Sequence, residues 1–276
     1  MPLLNKPYQC VDIKLSEGLT HCHIYDKNKG DWVVLIHGLI TPQFAWGFLF
    51  EALVKAGYNV ISFDLYGRGK SDTPNINYTF AVYLKQITEI IEHVSKDKPV
   101  HLIGWSMGGA LASLYAMQQP ERVNKIVLIS PGVVVSTGRF IKRLVKYPLA
   151  SRLFVKMGQR LLRNRMQQHF HSTTGISDYT RKATSQITQP GFWTSLLSII
   201  VNYPDDLLNQ LADYANTGPA PLVIWGEKDA NTPYADCTDV TRVLNGRLFT
   251  VKNAAHAVHY EYPDCVNEEI IQHLNS

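Results

Sequence analysis

The stretch from Pro99 to Gln118 reads PVHLIGWSMGGALASLYAMQ and joins two different residue patterns. The apolar run from Val100 to Ile103 is short enough for one buried strand, whereas Ala110 to Met117 is rich in Ala and Leu and is typical of a helix. Between them, Gly104-Trp105-Ser106-Met107-Gly108 fits the pattern G-x-S-x-G. The stretch therefore predicts a sharp strand-to-helix turn with a serine at its tip.

Such a turn places its central residue in a strained backbone conformation, so its close neighbours must be small, and Gly104 and Gly108 meet that need. The Ser106 hydroxyl then projects at the carboxyl end of the strand. The helix that begins at Met107 offers unpaired amide groups to a developing negative charge. We predict that Ser106 is a nucleophile. Because the motif fixes only three of five positions, a chance match is the alternative. Further catalytic residues elsewhere in the chain are needed to distinguish the two interpretations.

Length and composition favour one large core. With 276 residues, of which 45% are hydrophobic, the chain can bury one core and carry a small second lobe. The first residues, MPLLNKPYQCVDIK, lack the pattern of a secretory signal. The cysteines have neither metal nor redox spacing, which favours a reduced, cytoplasmic protein; they are Cys10, Cys22, Cys237 and Cys265.

Two stretches without charged residues are long enough to raise the question of a transmembrane helix: Pro99 to Pro120 and Ala183 to Pro204. The first contains a Gly cluster, and the second is interrupted by Pro190-Gly191. Buried segments of a soluble domain explain both stretches better.

Strand and helix patterns alternate along most of the chain. Cys10 to Asp26 predicts two antiparallel strands that turn at Glu17-Gly18. The later alternation predicts an α/β fold with a mostly parallel central sheet flanked by helices. Between residues 133 and 216 only helical patterns occur. We therefore predict a core from 1–132 and 217–276 with an inserted helical lid from 133–216, which would cover a site made by the loops of the sheet.

The loop from Asp64 to Asp72 contains Gly69-Lys70-Ser71, which resembles the end of a phosphate-binding loop. That motif needs a glycine where Asp64 stands, and a carboxylate there would repel phosphate. Nucleotide binding is therefore not expected, and Asp64 and Arg68 are interpreted as residues that fix the loop.

Two further residues complete a catalytic set. Asp229 follows the predicted strand Leu222 to Trp225 and could orient a histidine, with Glu227 as its nearest competitor. Histidine can accept and return the proton of a serine hydroxyl, and His256 follows the last predicted strand. Its competitor is His259, which we interpret as a packing residue. We predict Ser106, Asp229 and His256 as a triad.

With these residues in place, the chain resembles serine hydrolases of the α/β-hydrolase fold over nearly its whole length, including carboxylesterases and monoacylglycerol lipases. The motifs that carry the resemblance are His37-Gly38, the loop from Asp64 to Ser71, GWSMGG from Gly104, GEKD from Gly226, and His256 followed by HYEYP. Their order, Ser then Asp then His, is that of the family. The resemblance implies an oxyanion hole made by the backbone amides of Leu39 and Met107. Ala255 stands where the family commonly has Gly.

The resemblance also implies acyl transfer through a covalent intermediate, without a metal or other cofactor. A carboxylic ester is the expected substrate, and Trp105, Phe192 and Trp193 are expected to contact it, although Phe192 and Trp193 could instead pack the lid onto the sheet. A serine at position 106 argues against haloalkane dehalogenases and epoxide hydrolases. Two alternatives stay open: a hydrolase of carbon–carbon bonds, and a ligand receptor with slow turnover.

Positive charge is concentrated in the predicted lid. Between Arg139 and Lys182 there are eleven Lys or Arg and one acid, Asp178, which gives +10 in a chain of net charge +4. Four of these cations recur at helical spacing: Arg152, Lys156, Arg160 and Arg163. They could be solvated, rest on an anionic membrane surface, or dock an acidic acyl carrier protein, as in pimeloyl-acyl-carrier-protein methyl ester esterases. No nucleic-acid-binding motif accompanies them.

Overall fold

A computed structural model describes residues 8–134, 147–171 and 176–276. Its centre is one eight-stranded sheet with the spatial order β1-β2-β4-β3-β5-β6-β7-β8. The β1–β2 and β2–β4 pairs are antiparallel, and the other pairs are parallel. The strands are β1 (Gln9–Lys14), β2 (Leu19–Tyr25), β3 (Trp32–Ile36), β4 (Asn59–Phe63), β5 (Val100–Trp105), β6 (Val123–Ile129), β7 (Leu222–Gly226) and β8 (Arg247–Val251).

Helices connect the strands and flank the sheet. Those up to β6 are α1 (Gly47–Ala56), α2 (Phe80–Ser95) and α3 (Met107–Gln118). In the described residues between β6 and β7, the α-helices are α4 (Pro148–Gln167), α5 (Ile176–Gln186), α6 (Phe192–Asn202), α7 (Leu207–Gln210) and α8 (Tyr214–Thr217). The last three are α9 (Cys237–Val243), α10 (Val258–Glu261) and α11 (Pro263–Asn275). The predicted α/β class and the mostly parallel sheet are confirmed.

The central strands explain why the sequence specifies this sheet. Every residue of β4, β5 and β7 is buried. A parallel sheet covered on both faces buries both sides of each strand, so its strands read as continuous apolar runs rather than alternating ones. The hairpin of β1 and β2 lies at one edge of the sheet and is partly exposed. It turns between Lys14 and Leu19, where the sequence predicts the turn. The carboxyl ends of the parallel strands share one edge, where the loops that follow them meet.

The part of the predicted lid that the structure describes is helical throughout, from α4 to α8. Contacts tie it to the sheet: the Tyr203 hydroxyl donates to the Gly132 carbonyl at 2.6 Å, and the amide of Ala257 donates to the His169 carbonyl at 2.9 Å. Residues 135–146 and 172–175 of that segment lie outside the described residues. The division into core and lid at residues 133 and 216 stays a prediction.

Neither of the two uncharged stretches forms a bilayer-spanning helix. Pro99 to Pro120 folds as β5 followed by α3, and Ala183 to Pro204 is divided between α5 and α6. Throughout the described part of the chain, no helix combines the length and apolarity needed to cross a membrane.

Candidate active site

Ser106 lies in the turn between β5 and α3, with a backbone φ of 55°. Residues other than glycine rarely adopt that conformation, and it persists only where the surroundings hold it. The two flanking glycines are required by space: a Cβ on Gly104 would lie 2.3 Å from the Gly108 carbonyl oxygen, and one on Gly108 would lie 2.0 Å from the Ile36 oxygen. The turn therefore has the shape that the sequence predicts, and Ser106 is partly exposed at its tip.

The structure brings His256 and Asp229 into direct contact. The Nδ1 atom of His256 lies 2.8 Å from Oδ2 of Asp229, and both side chains are buried. Oδ1 of Asp229 accepts from the backbone amides of Asn231 and Thr232, at 2.8 and 3.0 Å. The Thr232 hydroxyl donates to Oδ2 at 2.8 Å and lies 3.3 Å from Nδ1 of His256. The carboxylate is thus held in one orientation, with one oxygen facing the imidazole.

Burial alone would raise the pKa of the Asp229 carboxyl. The facing His256 imidazole and the hydrogen bonds from His256 and Thr232 outweigh it, so the pKa lies below its ordinary value. The competing acid is placed differently: Glu227 accepts from the Asn253 amide at 3.3 Å and lies 3.6 Å from the Lys228 ammonium. Only Asp229 of the two carboxylates contacts the histidine.

The competing histidine, His259, is a packing residue. It is 1% exposed, and its ring centre lies 4.7 Å from that of Trp46 and 4.9 Å from that of Trp105. Among the described residues neither ring nitrogen has a hydrogen-bond partner. Burial, aided by His256, lowers the pKa of His259 to about 3, so its imidazole is neutral at neutral pH.

The loop after β3 approaches the nucleophile closely enough to form one side of an oxyanion hole. A Cβ on Gly38 would lie 3.2 Å from Cβ of Ser106. Leu39 follows Gly38, and its carbonyl oxygen accepts from Nε of Arg68, which fixes the loop. Met107 is the first residue of α3, where backbone amides have no acceptor within the helix. The loop and the helix start therefore flank Ser106, as an oxyanion hole requires; that the Leu39 and Met107 amides form it stays a prediction.

Arg68 has a larger role than the sequence suggests. It is 2% exposed, and it donates to the Gly67 carbonyl and to the hydroxyl of Ser195 on α6. Its guanidinium lies 5.1 Å from the centre of the Phe192 ring. Within the described residues, one guanidinium nitrogen has no partner. Arg68 therefore links the Leu39 loop to α6 and carries a buried charge, whereas the sequence predicts only a loop-fixing residue.

Asp64, the other residue assigned to this loop, is also buried. Its carboxylate accepts from the backbone amides of Gln43 and Lys70, both at 2.9 Å. A Cβ on Gly69 would lie 2.0 Å from that carboxylate, so the turn closes tightly around it. The loop is organised around a buried acid, which is unsuited to bind phosphate.

The three residues expected to contact substrate, Trp105, Phe192 and Trp193, lie in three different environments. The Trp105 indole donates to the His256 carbonyl at 2.9 Å and packs 5.4 Å from its ring, so it supports the histidine from within the protein. Phe192 is buried and lines, with Arg68, a cavity of about 380 Å³. The Trp193 indole donates to the Ile187 carbonyl at 2.9 Å within the lid. Contact of these three residues with substrate stays a prediction.

A second histidine, which no pattern in the sequence indicates, lies beside His256. His169, which follows α4, has its ring 5.3 Å from that of His256. Its Nδ1 lies 2.8 Å from the Tyr179 hydroxyl, which lies 3.0 Å from the Thr41 hydroxyl near the Leu39 loop. No local motif marks His169, because only the packing of the lid brings it to the site.

The predicted basic helix corresponds to α4. Lys156, Arg160 and Arg163 are exposed on it, and Met157 beside them is 65% exposed. The side chain of Arg152 lies outside the described residues. The three described cations therefore share a surface with an exposed apolar side chain.

With this geometry established, comparison with known proteins gives the family. A sequence model of the α/β hydrolase fold matches residues 31–263, most of the chain. The chain belongs to the α/β hydrolase fold family. The resemblance seen in the sequence is thereby confirmed.

Curated relatives are distant. Uncharacterized protein Rv2715 of Mycobacterium tuberculosis is 25% identical over 218 residues, which cover 74% of this chain and 63% of that protein. The match thus spans less than two thirds of that relative's length. A 2-hydroxy-6-oxononadienedioate/2-hydroxy-6-oxononatrienedioate hydrolase of Pseudomonas putida is 26% identical over 271 residues, 91% of each chain.

Among solved structures, a meta-cleavage product hydrolase of Pseudomonas fluorescens, CumD, superposes with a TM-score of 0.79. It is 23% identical, and the match covers 96% of this chain and 97% of that one. This likeness shows the fold, whereas the bond that an enzyme of this fold cleaves depends on its site.

Proposed function

We propose that this protein is a serine hydrolase that cleaves carboxylic esters through an acyl-enzyme intermediate. The observation that carries the proposal is the buried His256–Asp229 pair, 2.8 Å apart, at the same edge of the sheet as the strained Ser106 turn. A serine hydroxyl needs a base to become nucleophilic, and the base needs an oriented tautomer. Asp229 supports the second requirement, because it accepts from Nδ1 of His256 and leaves Nε2 to act on Ser106.

In the proposed reaction, Oγ of Ser106 attacks the ester carbonyl while Nε2 of His256 takes its proton. The negative charge that develops on the carbonyl oxygen is stabilised by the amides of Leu39 and Met107. The alcohol leaves with the proton from His256. Water then attacks the acyl-enzyme with the same histidine as base, which releases the acid and restores Ser106.

Cleavage of a carbon–carbon bond is the second candidate. It is favoured by the Pseudomonas putida relative, which is 26% identical over 91% of each chain. The hydroxy-oxo-dienedioate in that relative's name contains no ester, so its hydrolysis must break a carbon–carbon bond beside the oxo group.

One substrate panel separates the two candidates. Wild type and Ser106→Ala would be assayed on p-nitrophenyl esters from acetate to palmitate, and on a 2-hydroxy-6-oxo-dienoate whose absorbance disappears on cleavage. Ser113→Ala is the matched control, because Ser113 is buried on α3, the helix that follows Ser106, and donates to the Gly109 carbonyl. A serine-dependent ester rate with a chain-length optimum supports the proposal. Faster loss of the dienoate favours the second candidate, and no serine-dependent rate on either favours a ligand receptor.

The exposed cations of α4 would then serve in substrate delivery. Lys156, Arg160 and Arg163 offer positive charge beside the exposed Met157. Such a surface suits an anionic partner that carries the ester, either an acidic carrier protein or an anionic lipid layer. Added salt should slow hydrolysis of an ester that is bound to such a carrier or lipid layer, but not hydrolysis of free p-nitrophenyl acetate. Equal salt dependence for both substrates would contradict a docking role.

A further inference from the structure

A cluster of metal-binding residue types lies on the hairpin formed by β1 and β2, away from the triad. The antiparallel register pairs Cys10 with His23 and Asp12 with His21. Alternate residues of a strand point to the same face, so these four side chains share one face of the hairpin. The neighbouring Cys22 points to the opposite face and is fully buried in the core.

The donor atoms of three of these residues are close together. The sulfur of Cys10 and one ring nitrogen each of His21 and His23 all lie within 4.8 Å of one another. Tetrahedral zinc binds sulfur at about 2.3 Å and nitrogen at about 2.0 Å, which separates its ligands by about 3.3 to 3.6 Å. The three donor atoms therefore lie within about 1.5 Å of the spacing that zinc requires, and Cys10 is exposed, so its side chain is free to change rotamer.

His21 is already oriented as a ligand. Its Nδ1 lies 2.6 Å from Oδ1 of Asp12. In a neutral imidazole that donates from Nδ1 to this carboxylate, the lone pair is on Nε2. His21 is only 8% exposed, and its Nε2 is buried without a hydrogen-bond partner in the described part of the chain. A buried nitrogen without a partner costs free energy, and metal coordination would satisfy it. A carboxylate on the far nitrogen of a histidine ligand is the usual support in zinc sites.

We infer that Cys10, His21 and His23 bind one zinc ion, with Asp12 orienting His21 and a fourth position left for solvent. One thiolate and two imidazoles form a donor set that selects zinc over calcium or magnesium. Since Cys10 is exposed, its thiol can release its proton to solvent when the metal binds. The separation of these residues in the sequence follows no known zinc motif, so the sequence alone predicts no metal site.

The site is linked to the fold through the backbone of His21. Its amide donates to the Ser71 hydroxyl at 2.9 Å, and its carbonyl accepts from the Asp64 amide at 2.9 Å. Zinc would therefore stabilise the edge hairpin and its contact with the loop from Asp64 to Ser71. This role is independent of the proposed hydrolase chemistry.

The test uses the full-length protein after treatment with a chelator, with Co²⁺ as a spectroscopic probe and Zn²⁺ as competitor. We expect one Co²⁺ per chain, a thiolate-to-cobalt charge-transfer band, and loss of that band when Zn²⁺ is added. Cys10→Ser should abolish the band. Cys265→Ser should retain it, because Cys265 is the other exposed cysteine and lies on α11.

Asp12→Asn gives a second, independent readout that keeps all three ligands. It should weaken Zn²⁺ binding by about 10- to 100-fold in competition with a chromogenic chelator. The melting temperature of the wild type should rise on adding Zn²⁺, and that of Cys10→Ser should not. The inference is overturned if no stoichiometric binding occurs, if the cobalt band survives in Cys10→Ser, or if Asp12→Asn binds Zn²⁺ as tightly as wild type.

Discussion

Replacing Asp229 by Asn tests the proposed base most sharply, because the surrounding hydrogen bonds dictate how the new amide must lie. Oδ1 of Asp229 accepts from two backbone amides, those of Asn231 and Thr232, at 2.8 and 3.0 Å. Only the oxygen of an Asn side chain can replace it there. The NH₂ group must then occupy the place of Oδ2 and face Nδ1 of His256, which lies 2.8 Å away.

An NH₂ group in that place donates to Nδ1 and moves the histidine proton to Nε2. The imidazole can then no longer accept the proton of Ser106. In triads of this kind the same change lowers kcat by about 10⁴-fold, which corresponds to about 5.5 kcal/mol of activation free energy. Because Asn has the size of Asp, we expect the variant to fold.

The assay is kcat/KM on the best p-nitrophenyl ester, with folding followed by circular dichroism. Glu227→Gln is the matched control: this neighbouring acid contacts Lys228 and the Asn253 amide rather than the histidine, so activity should be unchanged. The reasoning is refuted if folded Asp229→Asn retains activity within about tenfold of wild type, or if Glu227→Gln loses as much.

Three further changes test individual contacts. Thr232→Val removes a hydroxyl that donates to the triad carboxylate at 2.8 Å, so kcat/KM should fall about tenfold, and an unchanged value would exclude a positioning role. Arg68→Met removes the anchor of the Leu39 carbonyl and should lower kcat about tenfold, whereas the exposed Lys70→Met should have no effect. His259 has a pKa lowered to about 3 by burial. Between that value and about 6.5 the unfolded chain therefore binds one more proton, and stability falls by about 1.4 kcal/mol per pH unit on acidification. Between about pH 7 and about pH 5, the free energy of unfolding of His259→Gln, measured in urea, should therefore fall by about 2 kcal/mol less than that of wild type. An equal fall in both proteins would contradict a buried neutral imidazole.

The sequence predicts the sheet and the serine turn well because their causes are local. Continuous apolar runs such as Asn59–Phe63 mark strands that are buried on both faces. The turn is marked locally by the spacing of Gly104 and Gly108 around Ser106, although the atom that requires Gly108 to be small, the Ile36 oxygen, lies on a distant strand. Asp229 and His256 could be predicted because each follows a recognisable strand.

The features that the sequence does not predict depend on contacts between distant parts of the chain. The neighbours of Arg68 on α6 lie more than 120 residues away. His169 reaches His256 only because the segment that follows α4 packs against the loop after β8. The hairpin cluster depends on register, because Cys10 and His23 are separated in sequence yet directly paired across two strands. No pattern in the printed sequence fixes such pairings before the fold is known.

The central claim is that Ser106 is a nucleophile activated by His256. The most direct measurement is reaction of the protein with a fluorophosphonate, followed by intact-mass and peptide-mapping mass spectrometry. The proposed chemistry predicts one adduct per chain, located on Ser106, absent in Ser106→Ala and strongly slowed in His256→Ala. Wild-type protein that stays unlabelled, or carries its adduct on another residue, would contradict the claim.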